Sequence, residues 1–287
     1  MILNSTIKFS LLFFFILLNS IGFTQIAQSI PFIWSNDTLN GVYFEKTAMY
    51  LPVRFTNDTT NYYFQLDTGS EESYFYSGNW MNQETLRLLN KEDSIQTSIG
   101  NLHLAKLESQ KMVAENGRMY CGTLGSDFLA NKLVEIDFLN QEIHFLKSYS
   151  SSEYMLDSLK LSFGRPLITI HTTSKSYDFL FDTGSSLFEL WTSQKLWKKL
   201  KEPTSEIHQF SISSWGTENT AYRATARSGI ACMSFKTLEI QTIWYNSNKQ
   251  FAKDFKSIDI AGMIGNKPFL NQVVLIDFNN MKIGLKK

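Results

Sequence analysis

The sequence predicts an all-β chain of two similar lobes related by a pseudo-two-fold axis, with few short helices. Asp-Thr-Gly-Ser occurs twice, at Asp67-Thr68-Gly69-Ser70 and Asp182-Thr183-Gly184-Ser185, each time directly after a strand-like run, 62–66 and 177–181. The likeness runs well beyond these turns. Residues 53–67 align without a gap on 168–182, and 125–143 on 265–283, so that Asn131, Asp137, Asn140 and Ile143 meet Asn271, Asp277, Asn280 and Ile283. Self-similarity at a period of over a hundred residues indicates two lobes and not a solenoid.

In chain order, the first element is a targeting peptide. Lys8 supplies the positive start, residues 9–18 an apolar run, and Ser20-Ile21-Gly22 small residues for cleavage. The run is short for a membrane span, and no later segment is suited to one. The expectation is a signal peptide over 1–22, an N-terminal lobe over 23–148 and a C-terminal lobe over 149–287, with the polar stretch 148–153 as the join. The mature chain should be exported, periplasmic or secreted, and free of the membrane. About 260 residues then remain, enough for two modest lobes at about 100 to 200 residues per domain.

Strands are expected at 50–55, 102–107, 133–138, 167–171, 238–243 and 273–278, which are short, rich in β-branched and aromatic residues and bounded by turns. Helices are expected at 80–89 and 193–200, following the two Asp turns at similar distances, the second capped by Thr192 or Ser193. After Gly265, Asn266 and Pro268 suit the start of a short helix. The 43% hydrophobic and 14% aromatic content can fill sheet cores. With 27 basic against 27 acidic residues, nothing points to nucleic acid or an anionic membrane. Cys121 and Cys232 fall at unrelated positions of the two repeats, so no disulfide essential to the fold is expected. His103, His144, His171 and His208 are scattered, and no metal site is expected.

The turns carry the chemistry. Asp67 and Asp182 supply carboxylates; brought close together they cannot both ionise, so they share a proton and can act as base and acid on a water molecule. Gly69 and Gly184 can take backbone angles closed to other residues and let main-chain N–H groups approach the carboxylates. Thr68 and Thr183 carry hydroxyls whose nearest partners across the axis are the other turn's backbone groups. Ser70 and Ser185 are placed to donate to the outer carboxylate oxygens.

With these motifs the chain resembles the pepsin and retropepsin clan of aspartic peptidases. Each lobe of that clan gives one Asp-Thr-Gly and, later, a hydrophobic-hydrophobic-Gly sequence packed beneath it, here Thr123-Leu124-Gly125 and Met263-Ile264-Gly265. Ile30-Pro31-Phe32 and Tyr50-Leu51-Pro52-Val53 resemble the start of bacterial retropepsin-like domains, and the resemblance spans about residues 30–287. It implies an aspartic endopeptidase with Asp67 and Asp182 as catalytic dyad, no covalent intermediate and no cofactor, acting as a monomer on an extended peptide or protein. A catalytically silent peptide-binding or inhibitory protein on the same fold is the alternative. Its usual mark, a replaced Asp or Gly, is absent from both copies. Between Gly22 and Val53 only Lys46 is basic, unlike the basic pro-segment of pepsin-like zymogens.

The lobes differ in one respect. Asp67 to Gly125 spans 125 − 67 = 58 positions and Asp182 to Gly265 spans 265 − 182 = 83. The excess includes a hairpin pattern over 209–225 with a Gly-bearing turn at 214–220. In this clan a hairpin closes over the substrate, so this one is expected to be the flap, with Trp215 or Tyr222 near the bound peptide.

Overall fold

Alternating burial is what turns the short apolar runs into strands, since successive side chains leave a strand on opposite faces. In Tyr62–Leu66, Tyr62, Phe64 and Leu66 are buried while Tyr63 and Gln65 are half-buried. The computed structural model describes residues 24–287 apart from 57, 79–80, 82, 90–93, 215–216 and 233–237. The expected leader, Trp80 at the head of the first expected helix, and Trp215 lie outside the described residues.

Three large sheets and a two-stranded one, Ile95–Thr97 with Gly100–Leu102, build the described residues into an all-β, two-lobed molecule. One, of six strands, takes equal shares from both repeats, in the order Gln25–Pro31, Glu142–Ser148, Leu133–Asp137, Val273–Asp277, Lys282–Lys286, Tyr154–Ser158. At its centre Leu133–Asp137 runs antiparallel to Val273–Asp277 with Glu135 opposite Leu275. These two residues are equated by the sequence repeat, at the constant offset 265 − 125 = 140, so the pseudo-two-fold axis passes through that pair. The turns that follow also match. Asp137 Oδ1 accepts from the N–H groups of Leu139 and Asn140 at 3.0 and 2.9 Å, and Asp277 Oδ1 from those of Asn279 and Asn280 at 3.1 and 2.9 Å.

A seven-stranded sheet belongs to the first lobe and a nine-stranded sheet to the second. In each, the strand leading into the Asp turn lies parallel to the strand ending at the hydrophobic-hydrophobic-Gly sequence: Tyr62–Leu66 beside Arg118–Leu124, and Ser176–Phe181 beside Gly262–Ile264. The duplication therefore delivers both Asp residues from equivalent edges.

Several elements differ from the sequence expectation. The 102–107 run breaks into Gly100–Leu102 and Ala105–Lys111. The strand expected at 238–243 begins only at Thr242–Asn246, because the buried Glu189 carboxylate accepts the Gln241 and Thr242 N–H groups at 2.5 and 2.9 Å before the ladder starts. Helices form at Gln83–Leu89 and Gln194–Leu200, the latter with Ser193 Oγ accepting from the Leu196 N–H. A helix not anticipated, Lys249–Ser257, starts where Asn248 Oδ1 accepts from the Gln250 N–H at 3.0 Å, and it spaces Phe251 and Phe255 one turn apart. Cys121 and Cys232 are buried free thiols; burial pushes the Cys121 thiol up to about 12 and raises that of Cys232 as well.

One hairpin crosses between the lobes. Ile33–Leu39 and Val42–Val53 are joined by Asn40-Gly41, whose φ angles of 50° and 78° suit a tight hairpin turn. Its tip reaches the second lobe. Asn40 Oδ1 accepts from the Ser211 N–H at 2.8 Å, Phe44 meets Phe210 edge-on at 5.6 Å, and Leu39 joins Phe44 against the cluster containing Ile212 and Trp244.

Candidate active site

The two Asp turns meet at the lobe boundary. Asp67 donates its N–H to the Leu124 carbonyl and Asp182 its N–H to that of Ile264, both at 2.9 Å, so each turn is anchored to the strand ending beneath it. Thr68 and Thr183, both fully buried, tie the turns together reciprocally. Thr68 Oγ1 donates to the Phe181 carbonyl at 2.5 Å and accepts from the Thr183 N–H at 3.1 Å. Thr183 Oγ1 donates to the Leu66 carbonyl at 2.9 Å and accepts from the Thr68 N–H at 3.0 Å. Further across the boundary, Gln65 Nε2 donates to the Gly184 carbonyl at 3.0 Å and Arg165 Nη1 to the Gly69 carbonyl at 3.3 Å.

The N–H groups of Gly69 and Gly184 reach Asp67 and Asp182 at 3.0 and 2.9 Å, as expected, but the special backbone angles expected of these glycines are not what requires them. Neither Gly69 nor Gly184 has positive φ. A methyl group on Gly69 would instead lie 2.6 Å from Asp182 Cγ, and one on Gly184 2.5 Å from Asp67 Cγ. Each carboxyl therefore rests against the opposite turn's glycine, and the pair is brought into mutual hydrogen-bonding contact.

The serines break the symmetry. Ser185 Oγ donates to Asp182 Oδ2 at 2.8 Å, as expected, whereas Ser70 Oγ donates to the Glu72 carbonyl at 2.8 Å and leaves Asp67 to the Gly69 and Ser70 N–H groups at 3.0 and 3.1 Å. Burial raises both carboxyls above their ordinary value of 3.8. Asp67 is raised well above it, because the charge on Asp182 faces it as well. Asp182 is held back by the Ser185 hydroxyl and by hydrogen bonding from Asp67. Both carboxyls are thus raised, Asp67 further than Asp182. Ser185→Ala is expected to lower the turnover of a hydrolysed peptide about tenfold, the scale of one hydrogen bond to a charged group, with Ser70→Ala near wild type. Equal effects of the two in steady-state assays would remove the asymmetry.

The dyad opens into a cavity of about 470 Å³ lined by Gln65, Tyr76, Gln110, Phe251, Asp254 and Met263 in addition to the turns. It adjoins a second pocket of about 230 Å³ through Gly184, Ser185, Phe251 and Met263, which line both. Several contributors escaped the sequence reading, four of them with a signal that could have shown them. Tyr76 and Trp191 occupy the same place in the repeat, nine residues after their Asp (76 − 67 and 191 − 182), and line the first and second pocket respectively. Their shared offset was the available signal. Phe251 and Asp254 come from the unanticipated helix, whose Asn cap and i, i+4 phenylalanines were its mark. Asn266 does stand at the head of a short 3-10 helix, Lys267–Phe269, with Pro268 early in it, but its side chain makes no capping bond; buried, its amide donates to the Thr183 carbonyl at 2.9 Å and to Ser186 Oγ at 2.7 Å, bracing the second Asp turn.

The hairpin expected as the flap forms, as His208–Ser214 and Thr217–Thr225. Tyr222, however, does not line either pocket at the dyad. Its ring stacks on Tyr245 within its own lobe, centroids 4.8 Å apart and planes 11° apart. Strand alternation is the reason: Ala221 packs with Phe210, Ile212 and Trp244, while Tyr222 and Ala224 pack with Tyr245 in the other cluster. The hairpin reaches the dyad pockets through Ile212. Among the described residues, no group of three or more His, Cys, Asp or Glu is placed to hold a metal ion.

No family model matches the sequence, and no curated protein matches it. Among solved structures, the chain is similar to the crystal structure of basic 7S globulin from soybean, with 9% identity over 90% of this chain and 94% of that one, at a TM-score of 0.43.

Proposed function

We propose that the chain is an exported aspartic endopeptidase that hydrolyses peptide bonds of an extended substrate with Asp67 and Asp182. The observation that carries this reading is the meeting of two buried carboxyls, each seated against the opposite turn's glycine and unequally raised. Asp182, the ionised partner, takes a proton from water as its oxygen attacks the scissile carbonyl carbon. Asp67 gives its proton to the carbonyl oxygen, forming a neutral tetrahedral diol. Collapse of the diol breaks the C–N bond, with one proton passing to the leaving nitrogen and one returned to the dyad. The 1–22 leader motivates the exported location. An unbiased peptide-library digest, read by mass spectrometry beside binding of a statine-type transition-state mimic, tests the reading. Cleavage together with mimic binding is expected, and the absence of both would refute it.

The raised carboxyls set a pH dependence. Hydrolysis requires one proton on the pair, so activity should persist above the ordinary carboxylate value of 3.8 and fall on the alkaline side as that proton leaves. Stability follows the same sign. The folded chain holds a proton that the unfolded chain releases near pH 3.8, so the penalty is absent below that value and grows as pH rises through the raised folded values. Asp67→Asn cannot ionise; it is expected to melt above wild type near neutral pH, by about 2–4 °C per kcal/mol recovered, and together with wild type in acid. Calorimetry at the two pH values checks this.

A further inference from the structure

The second pocket, beyond Gly184 and Ser185, has a composition that the dyad chemistry does not explain. Its walls combine polar and apolar surface and include the rings of Phe188, Trp191 and Phe251, which pack on one another with Phe188 and Trp191 centroids 4.3 Å apart and Trp191 and Phe251 centroids 6.1 Å apart. Trp191 is 2% exposed, and its indole N–H has no acceptor among the described residues. The remaining wall comes from the other lobe. Asp37, Leu39 and Thr47 of the crossing hairpin line the pocket, and that hairpin is pinned by Asn40 to Ser211 and by Phe44 to Phe210.

Among the described residues, Asp37, itself exposed, is the only ionisable side chain lining this pocket. Its Oδ1 accepts from the Thr38 N–H at 2.6 Å, and no ion pair among the described residues engages it. A carboxylate in an aromatic-lined pocket favours a cation, since ring faces and carboxylate both attract positive charge. It also repels a carboxylate, which disfavours the carboxyl end of a peptide.

We propose that this pocket binds a positively charged amine nitrogen of the substrate, with Asp37 as its specificity-determining residue and the crossing hairpin as its end wall. The proposal rests on the reading of the dyad cavity as a peptide site and names what one end of that site selects. Two sources supply such a nitrogen: the free amino terminus of a peptide that ends at the hairpin, and a lysine side chain of a longer one.

The test titrates Asp182→Asn protein, in which turnover is suppressed, with three short Phe/Leu-rich peptides: lysine-free with a free amino terminus, lysine-free and N-acetylated, and N-acetylated with one lysine. At least one amine-bearing peptide should bind about tenfold more tightly than the lysine-free acetylated one, the scale of a hydrogen bond to a charged group. Which of the two gains identifies the source of the nitrogen. Adding Asp37→Asn, which keeps an acceptor for the Thr38 N–H, should erase the advantage. Equal binding of all three, or an advantage that survives Asp37→Asn, overturns the proposal. Amine preference in a protein whose unsubstituted form cleaves nothing would leave the pocket assignment standing and remove the hydrolytic reading. Cleavage without amine preference would do the reverse.

Discussion

Asp182→Asn is expected to reduce peptide hydrolysis by about a thousandfold or more, within the range that loss of general acid–base catalysis produces. Asn keeps the shape of Asp and can still meet the Gly184 N–H and the Ser185 hydroxyl, which reach Asp182 at 2.9 and 2.8 Å. What it cannot do is accept a proton from water. Asp67→Asn should be as damaging for the complementary reason: it removes the proton destined for the carbonyl oxygen. Single-turnover assays with purified variants check both, with circular dichroism confirming that the fold is retained. Substantial cleavage by either variant would mean that one carboxylate suffices, and the shared-proton mechanism would fail.

The largest loss of stability is expected from Thr68→Val. The substitution is close in shape, yet it strands two buried backbone groups at once, the Phe181 carbonyl and the Thr183 N–H that now use Thr68 Oγ1. Each orphan costs about 1–3 kcal/mol, so a total of roughly 2–6 kcal/mol follows, or about 4–24 °C in Tm for a chain of this size. Thr68→Ser keeps the hydroxyl and should recover most of the loss. Calorimetry of the two variants decides the matter: if Val and Ser melt together, the hydroxyls are not what joins the turns. Thr183→Val should behave alike, since Thr183 Oγ1 serves the Leu66 carbonyl and the Thr68 N–H in mirror fashion.

Much of this architecture was legible in the chain itself, for a physical reason. A gapless repeat must fold twice into the same local structure, so the Asp turns, the strands leading into them and the Asp137 and Asp277 turns could be placed before any contact was known. Local patterns were less dependable where a side chain from elsewhere intervened. Glu189 occupies the Gln241 and Thr242 N–H groups inside the expected 238–243 strand, and Asn266, although at the head of a short helix, turns its side-chain amide to the Thr183 carbonyl. Tyr222 was expected beside the substrate from its place in a hairpin, but the alternation of its strand turns it toward Tyr245.

By itself the sequence determined the two-lobed all-β plan, the pair of carboxylates and the threonines and glycines that accompany them, because each is written in a short motif and then written again. Only the tertiary structure decided that each motif glycine seats the opposite carboxyl, that of the two motif serines only Ser185 gives its hydroxyl to the neighbouring Asp, and that Asp67 is raised further than Asp182. It also decided that a hairpin preceding the first Asp turn reaches the second lobe and lines the pocket beside the dyad. Asn40 and Ser211 stand 171 positions apart, and no motif links them. A contact of that kind comes from how two lobes pack, and packing breaks the symmetry that the repeat encodes.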